Sequence, residues 1–209
     1  IHKIYLTPQS HVEAYKALVE KYKAEEQNTK LEIRVFAEAP RYKNDHEVDL
    51  AGFQKSWEEL KDTHHFFGLL KKHNISRSQA LRLAPSAYYA DKIEKEKIVS
   101  MLEKVARQEL PIMVFVGNPG NIQIHTGKIN KTLWHQQWFN IMDPDFNLHL
   151  NMDGVANCWV VRKPTEDGIV TSIECFDKND ELIVQFFGKR KPGIPEIKEW
   201  QEVVAQLQQ

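Results

Sequence analysis

The chain has 209 residues, of which 42% are hydrophobic and 27% are charged, and its formal net charge is -1 at pH 7. This composition is typical of a globular protein; it gives no support for general nucleic-acid binding, and no apolar run approaches the about 20 residues that a membrane helix needs. The two cysteines, with no segment that resembles a secretory signal, favour a cytoplasmic protein with reduced thiols over a disulfide-bonded one.

The first 46 residues predict a strand, a helix and a linker. Residues 1–6 alternate like a strand, residues 8–27 carry the period of an amphipathic helix, and residues 28–46 are polar without a clear period. A similar strand and helix close the chain. We therefore expect residues 1–46 to hold the last strand and helix of a preceding repeat plus a linker, and residues 47–209 to form a second α+β repeat of a longer protein.

A continuous helix is predicted from about Asp49, a suitable N-cap, to His73. Its apolar face follows spacings of three and four, so that His64 occupies a core-facing position. The face consists of Leu50, Phe53, Trp57, Leu60, His64 and Phe67. A polar ring in such a position needs a partner. Two interpretations stay open: a histidine satisfied inside the core by a carbonyl or carboxylate, and a ligand of a metal or of haem iron.

Arg77 lies in the first turn of a short predicted helix. Ser76 and Gln79 form a capping box that opens this helix, and Pro85 follows its end. Residues 86–108 predict a further helix. Haem iron would need apolar walls and cations near its ligand, and Phe67 and Arg77 could supply one of each.

From residue 111 to residue 190 the chain predicts strands separated by short turns, and residues 196–207 predict a closing helix. Strands joined by short turns pair in antiparallel fashion, so the predicted fold class is α+β with a large antiparallel sheet. The turn at residues 117–120 lacks the lysine and the following helix of a phosphate-binding loop.

A second candidate cluster lies at the ends of two predicted strands. Alternation places Gln185 and Phe187 on one face, with Arg190 just beyond, and Lys163 ends another strand. A solvated basic turn and a rim that binds carboxylates are both consistent with this pattern.

Several longer segments resemble the cytoplasmic haemin-trafficking and haemin-degrading proteins of the HemS/ChuS/PhuS type. The segments are DTHHFFGLL (62–70), WFNI (138–141), DPDFNLHL (143–150), WVVRKPT (159–165) and QFFGKRKPG (185–193). They extend over most of the chain and correspond to the second half of that family's duplicated fold. One departure is the 117–120 turn, which reads Gly-Asn-Pro-Gly where the family usually has Gly-Asn-Arg-Gly, and Asn121 follows where the family often has a cysteine.

The resemblance implies that haem, iron protoporphyrin IX, lies in a cleft with His64 as the axial iron ligand. It also implies that Arg77, Lys163, Gln185, Phe187 and Arg190 contact haem or its propionates. The expected function is haem binding in iron acquisition, with an inner-membrane haem importer or a downstream haem oxygenase as partners.

Two other functions stay open: a structural or regulatory interaction domain, and a haem-degrading enzyme with an external reductant. The family's distal arginine belongs to the first repeat, so we expect the face of the iron opposite His64 to be open in this chain.

Overall fold

The structure is a computed structural model that describes residues 6–27, 41–118 and 120–208. The chain divides after Pro40 into two compact units. In the first unit, helix α1 (Val12–Tyr22) begins after His11, whose Nδ1 accepts a hydrogen bond of 3.2 Å from the N–H of Ala14. None of the residues of α1 is buried. The predicted first strand lies almost wholly outside the described residues, as does most of the predicted linker.

The second unit includes the last residues of the predicted linker, because they bond to the helices that follow. The N–H of Lys43 donates to the carbonyl of Asn74 (3.0 Å), and Nε2 of Gln79 donates to the carbonyl of Lys43 (2.8 Å). Asn74 has the left-handed backbone that commonly ends a helix, with φ of 53°. The unit therefore starts at Arg41, before the predicted boundary at residue 46.

Nine strands form two antiparallel sheets within the described residues, which confirms the predicted α+β class. The large sheet has the order β1-β7-β8-β9-β2-β3, and the small sheet has the order β4-β5-β6. The strands are β1 (Ala90–Ile93), β2 (Ile112–Asn118), β3 (Asn121–Gly127), β4 (Thr132–His135), β5 (Trp138–Met142), β6 (Asn147–Asn151), β7 (Asn157–Thr165), β8 (Gly168–Phe176) and β9 (Leu182–Gly188).

Five helices pack with these sheets. They are α2 (Leu50–Glu58), α3 (His65–His73), α4 (Arg77–Arg82), α5 (Glu96–Arg107) and α6 (Lys198–Ala205). The capping box of Ser76 and Gln79 is present and opens α4, as predicted. The predicted helix at 86–108 is wrong in its first part: residues 90–93 pair with β7 as the edge strand β1, and α5 starts only at Glu96. Among the described residues, no helix combines the length and the apolar character that crossing a bilayer requires.

The two faces of the large sheet differ in how they are covered. One face carries the main hydrophobic core, with α5, α6 and the small sheet, and includes Val160, Ile173 and Phe186. Gly188 is part of this packing, because a Cβ atom there would lie 2.6 Å from the Trp200 ring of α6. The opposite face is covered by α2, α3 and α4 over β1, β7 and β8, where Val161 joins a second core.

The predicted continuous helix at 49–73 is wrong, because a loop separates α2 from α3. The carbonyl of Lys61 accepts a hydrogen bond of 3.0 Å from the N–H of Glu166 in the β7–β8 turn, and Oδ1 of Asp62 accepts one of 2.7 Å from the N–H of His64. The break shifts the helical phase. Phe66 is buried at 1% exposure, whereas Phe67 is 73% exposed.

His64 itself lies at the solvent surface and not in the core-facing position that the spacing predicted. Its side chain is 92% exposed, so the interpretation as a satisfied core histidine is wrong. The buried histidine of this region is His73, whose Nε2 lies 3.4 Å from Oγ of Ser56.

Candidate functional site

His64 immediately precedes α3, and its side chain and backbone N–H are both hydrogen-bonded to Asp62. Oδ1 of Asp62 lies 2.7 Å from the backbone nitrogen of His64 and 2.6 Å from its Nδ1. These bonds, the one from the backbone first, hold the pKa of Asp62 below its ordinary value. An imidazole whose Nδ1–H donates to a carboxylate presents a basic Nε2, and this is the usual arrangement of a histidine that binds a metal.

A second feature of the site is a buried group of polar side chains around Glu174, which we call the Glu174 cluster. Nε and Nη2 of Arg77 donate to the two Glu174 oxygens at 2.6 and 2.7 Å. Nζ of Lys163 (2.8 Å), Nε2 of Gln185 (3.0 Å) and Oγ of Ser172 (3.1 Å) all reach Oε1. The cluster thus joins α4, β7, β8 and β9, and it contains three of the predicted site residues.

The charges of this cluster compensate one another inside the protein. Burial alone would raise the pKa of Glu174, but Arg77 and Lys163 hold it far below its ordinary value. Burial lowers the pKa of Lys163 to about 8 even though Glu174 opposes this shift. Burial also disfavours the charged form of Arg77, but Glu174 outweighs this effect and raises the arginine pKa. Two cations and one anion leave the cluster with one net positive charge.

Helix α3 contributes one aromatic side chain to the Glu174 cluster and the next one to a cleft beside the large sheet. The ring of Phe66 faces the two cations, with its centroid 4.6 Å from Nζ of Lys163 and 5.3 Å from Cζ of Arg77. Contacts of this kind between a cation and an aromatic ring are attractive. The next residue, Phe67, points instead into a cleft. One helical turn therefore carries both a core contact of the cluster and a wall of the cleft.

The cleft has a volume of about 820 Å³ and lies against β2, β3 and β9. Strand register puts Glu174 opposite Gln185, and Gln185 opposite Phe115, so the three side chains share one face. Phe187 lies on the same face, where its ring meets Phe115 edge-on with centroids 5.2 Å apart. The lining residues are Phe67, Phe115, Gly117, Asn118, Asn121, Ile122, Glu181, Leu182, Ile183 and Gln185.

Arg190 is not part of the Glu174 cluster. Its Nη2 lies 3.2 Å from Oδ2 of Asp167 in the β7–β8 turn, and the N–H of Gly193 donates to the same oxygen at 2.9 Å. The side chain of Arg190 is 14% exposed. Gln185 and Phe187 therefore lie together on one face of β9, whereas Arg190 lies apart from them, beyond the end of the strand.

Two residues of the site were not predicted from the sequence. The strand pattern predicts no role for Glu174, although a glutamate in a run of apolar residues needs a cationic partner when buried. Asp62 precedes His64 by two residues, a spacing that suits a side-chain acceptor for the following backbone N–H.

Comparison with known proteins identifies relatives along nearly the whole chain. Residues 74–207 match the family model described as the haemin-degrading HemS.ChuX domain. The hemin transport protein HmuS of Yersinia pestis is 35% identical over 207 residues, which cover 99% of this chain and 59% of HmuS. The chain therefore spans 59% of the length of this curated relative.

Solved structures give the same result. Holo-PhuS, a heme-binding protein from Pseudomonas aeruginosa, is 46% identical with a TM-score of 0.90, over 97% of this chain and 58% of PhuS. ChuS, described as an E. coli heme oxygenase, is 35% identical with a TM-score of 0.83, over 97% of this chain and 59% of ChuS. ChuX, at 16% identity and a TM-score of 0.62, shares the fold. The resemblance seen in the sequence is thus confirmed, and the chain belongs to the haemin-degrading HemS/ChuX family.

Proposed function

We propose that this chain binds haem for iron acquisition, with His64 as the axial ligand of the iron. The observation that carries the proposal is the geometry of His64. Its side chain is 92% exposed while Asp62 occupies Nδ1 at 2.6 Å, so Nε2 is left for a ligand from outside the protein. The relatives support the same function, since PhuS is described as a heme-binding protein and HmuS as a hemin transport protein.

The cleft and the Glu174 cluster suit the rest of a haem molecule. Haem is a broad apolar ring system with two carboxylates, and pockets for ligands of its size commonly enclose about 300–1,000 Å³. Phe67 lines the cleft of about 820 Å³, and Phe187 packs against Phe115, another lining residue. We assign to these rings the walls of the site, where they would exclude water from the porphyrin.

The remaining predicted residues are assigned to the haem carboxylates. Arg77, Gln185 and Lys163 all donate to Glu174. Gln185 lines the cleft, Arg77 is partly exposed and Lys163 is buried. Arg190 would be an outlying cation for the same groups, which requires it to share or release Asp167. Guanidinium groups bind carboxylates well because their N–H groups form a planar fork.

We favour a carrier over an enzyme for this chain. One labile axial bond from an exposed histidine allows haem to be accepted and passed on. We propose an inner-membrane haem importer and a downstream haem oxygenase as the two exchange partners. A cytoplasmic location is supported by Cys158 and Cys175, which are buried free thiols, with Sγ of Cys158 donating a hydrogen bond of 3.2 Å to Sγ of Cys175, as in a reducing compartment. The enzyme alternative has its own support, because the relative ChuS is described as a heme oxygenase.

Titration of the purified chain with haemin tests the proposal. We expect saturable binding at one haemin per chain, with a Soret band that shifts relative to free haemin. Protoporphyrin IX without iron serves as the control and should bind more weakly, because it lacks the bond to His64. A spectrum that equals the sum of free haemin and protein would contradict haem binding.

A second experiment separates the carrier from the enzyme. The haemin complex is incubated with ascorbate under air in the presence of catalase. A carrier leaves the tetrapyrrole intact, whereas an enzyme yields a linear tetrapyrrole product. Loss of colour only in the absence of catalase would point to free peroxide and would count against enzymatic breakdown.

A further inference from the structure

The Glu174 carboxylate receives more hydrogen-bond donors than it has acceptor positions. Oε1 accepts from Arg77, Lys163, Gln185 and Ser172, and Oε2 accepts a fifth bond from Nε of Arg77. A carboxylate offers about four lone-pair positions, two on each oxygen. Oε1 is therefore shared among competing donors, and a donor that turned to another carboxylate would leave Glu174 still well bonded.

The cluster is closed to solvent at Glu174 and Lys163 and partly open at Arg77 and Gln185. The side chains of Glu174 and Lys163 are 0% and 3% exposed, but that of Arg77 is 25% exposed, and Gln185 lines the cleft. Within residues 6–27, 41–118 and 120–208, Nη1 of Arg77 has no hydrogen-bond partner. A ligand carboxylate that reaches Gln185 in the cleft, or the exposed part of Arg77, thus meets a donor that Glu174 already holds.

We propose that Glu174 is a specificity-determining residue that competes with the carboxylates of the bound ligand for Arg77 and Gln185. It arranges these donors before the ligand arrives, and it limits how firmly they can hold a ligand carboxylate. This inference rests on the proposed haem-binding function and adds to it a built-in means of release. The charge that remains on the cluster attracts one anion, while the resident anion keeps that attraction modest.

The test compares haemin with haemin dimethyl ester, which has the same iron and ring but no free carboxylates. The ratio of the two dissociation constants, ester over acid, measures how much the protein gains from the carboxylates. In Glu174→Gln the donors lose their resident anion, so we expect this ratio to rise about tenfold over the wild-type chain. The matched control is Glu103→Gln, which removes the same charge from α5 on the opposite face of the large sheet. We expect this control to leave the ratio within about twofold of the wild-type value.

A second variant guards against poor folding and against a simple effect of net charge. Lys163→Met combined with Glu174→Gln removes one cation and one anion, so the cluster keeps its single positive charge on Arg77. The ratio should rise in this variant as well, because Glu174 no longer competes with the ligand carboxylates for Arg77. When both variants fold, the ratio must rise in both, because a rise in Glu174→Gln alone is an effect of net charge and overturns the proposal. When only one variant folds, its ratio decides.

The outcomes separate this inference from the proposed function. If the wild-type chain binds both ligands and the ratio is unchanged or lower in the folded variants, Glu174 is a structural counter-ion only and the inference is overturned. If the wild-type chain binds neither ligand, the proposed function fails and the inference fails with it. Equal losses of affinity for acid and ester would also overturn the inference, because a purely structural defect affects both ligands alike.

Discussion

The two parts of the candidate site differ in how they are tied to the fold. The Asp62–His64 pair lies at the surface, with side chains 51% and 92% exposed, and its atoms come from one short loop. The Glu174 cluster is buried and draws its donors from one helix and three strands. The comparison indicates that the proposed iron ligand can be changed without cost to folding, whereas the proposed carboxylate contacts are part of the core.

The largest expected effect is on stability, and it concerns only the buried part. Replacing Glu174 by alanine leaves Arg77 and Lys163 buried without their counter-ion. Loss of one partner from a buried ion pair typically costs about 3–5 kcal/mol of unfolding free energy. Urea denaturation monitored by tryptophan fluorescence measures this loss.

The matched change in the exposed part is His64→Ala, which should alter the unfolding free energy by less than about 0.5 kcal/mol. Similar losses in the two variants would remove the distinction between the two parts of the site.

A fall in pH should reduce the stability that the buried part of the site contributes. Arg77 and Lys163 hold the pKa of Glu174 far below its ordinary value of 4.5. Below about pH 4.5, Glu174 therefore binds a proton in the unfolded chain but stays ionised in the folded chain. The stabilisation from Glu174 is therefore present above that pH and is lost progressively as the pH falls. Urea midpoints between pH 7 and pH 3 measure this loss. In Lys163→Met with Glu174→Gln the decline should be shallower, and an identical decline would mean that other carboxylates cause it.

A smaller effect is expected from Asp62→Asn, which keeps an acceptor oxygen but removes the negative charge beside His64. Partners of metal-binding histidines typically contribute tenfold or more to metal affinity, so haemin affinity should fall about tenfold. Stability at pH 7 should change little, because Asp62 is exposed. Haemin titration of one preparation gives the affinity, and urea denaturation of the same preparation gives the free energy of unfolding. An unchanged affinity would show that Asp62 only starts α3.

The sequence predicted the sheet better than it predicted the site. Strand alternation placed Gln185 and Phe187 on one face, and the register confirms this, because a strand has only two faces. Periodicity failed between Glu58 and His65, where a helical pattern continues through a loop. The hydrogen bond from Glu166 to Lys61, which helps to fix that loop, joins residues far apart in the chain.

The Glu174 cluster shows why part of the site could not be derived from the sequence. Arg77 and Lys163 were predicted to bind ligand carboxylates, and the structure shows that an internal carboxylate already binds them. To see this in advance would require the relative registers of β7, β8 and β9 together with the position of α4. A local sequence pattern contains none of this information.

The most direct test of the account is a haemin titration of His64→Ala beside His65→Ala. The two histidines are adjacent and exposed, but the Asp62 carboxylate bonds to the ring of His64 and not to that of His65. We predict that His64→Ala shifts or abolishes the Soret band of the bound form and weakens haemin binding, while His65→Ala behaves like the wild-type chain. An unchanged spectrum and an unchanged affinity in His64→Ala would contradict the assignment of the iron ligand.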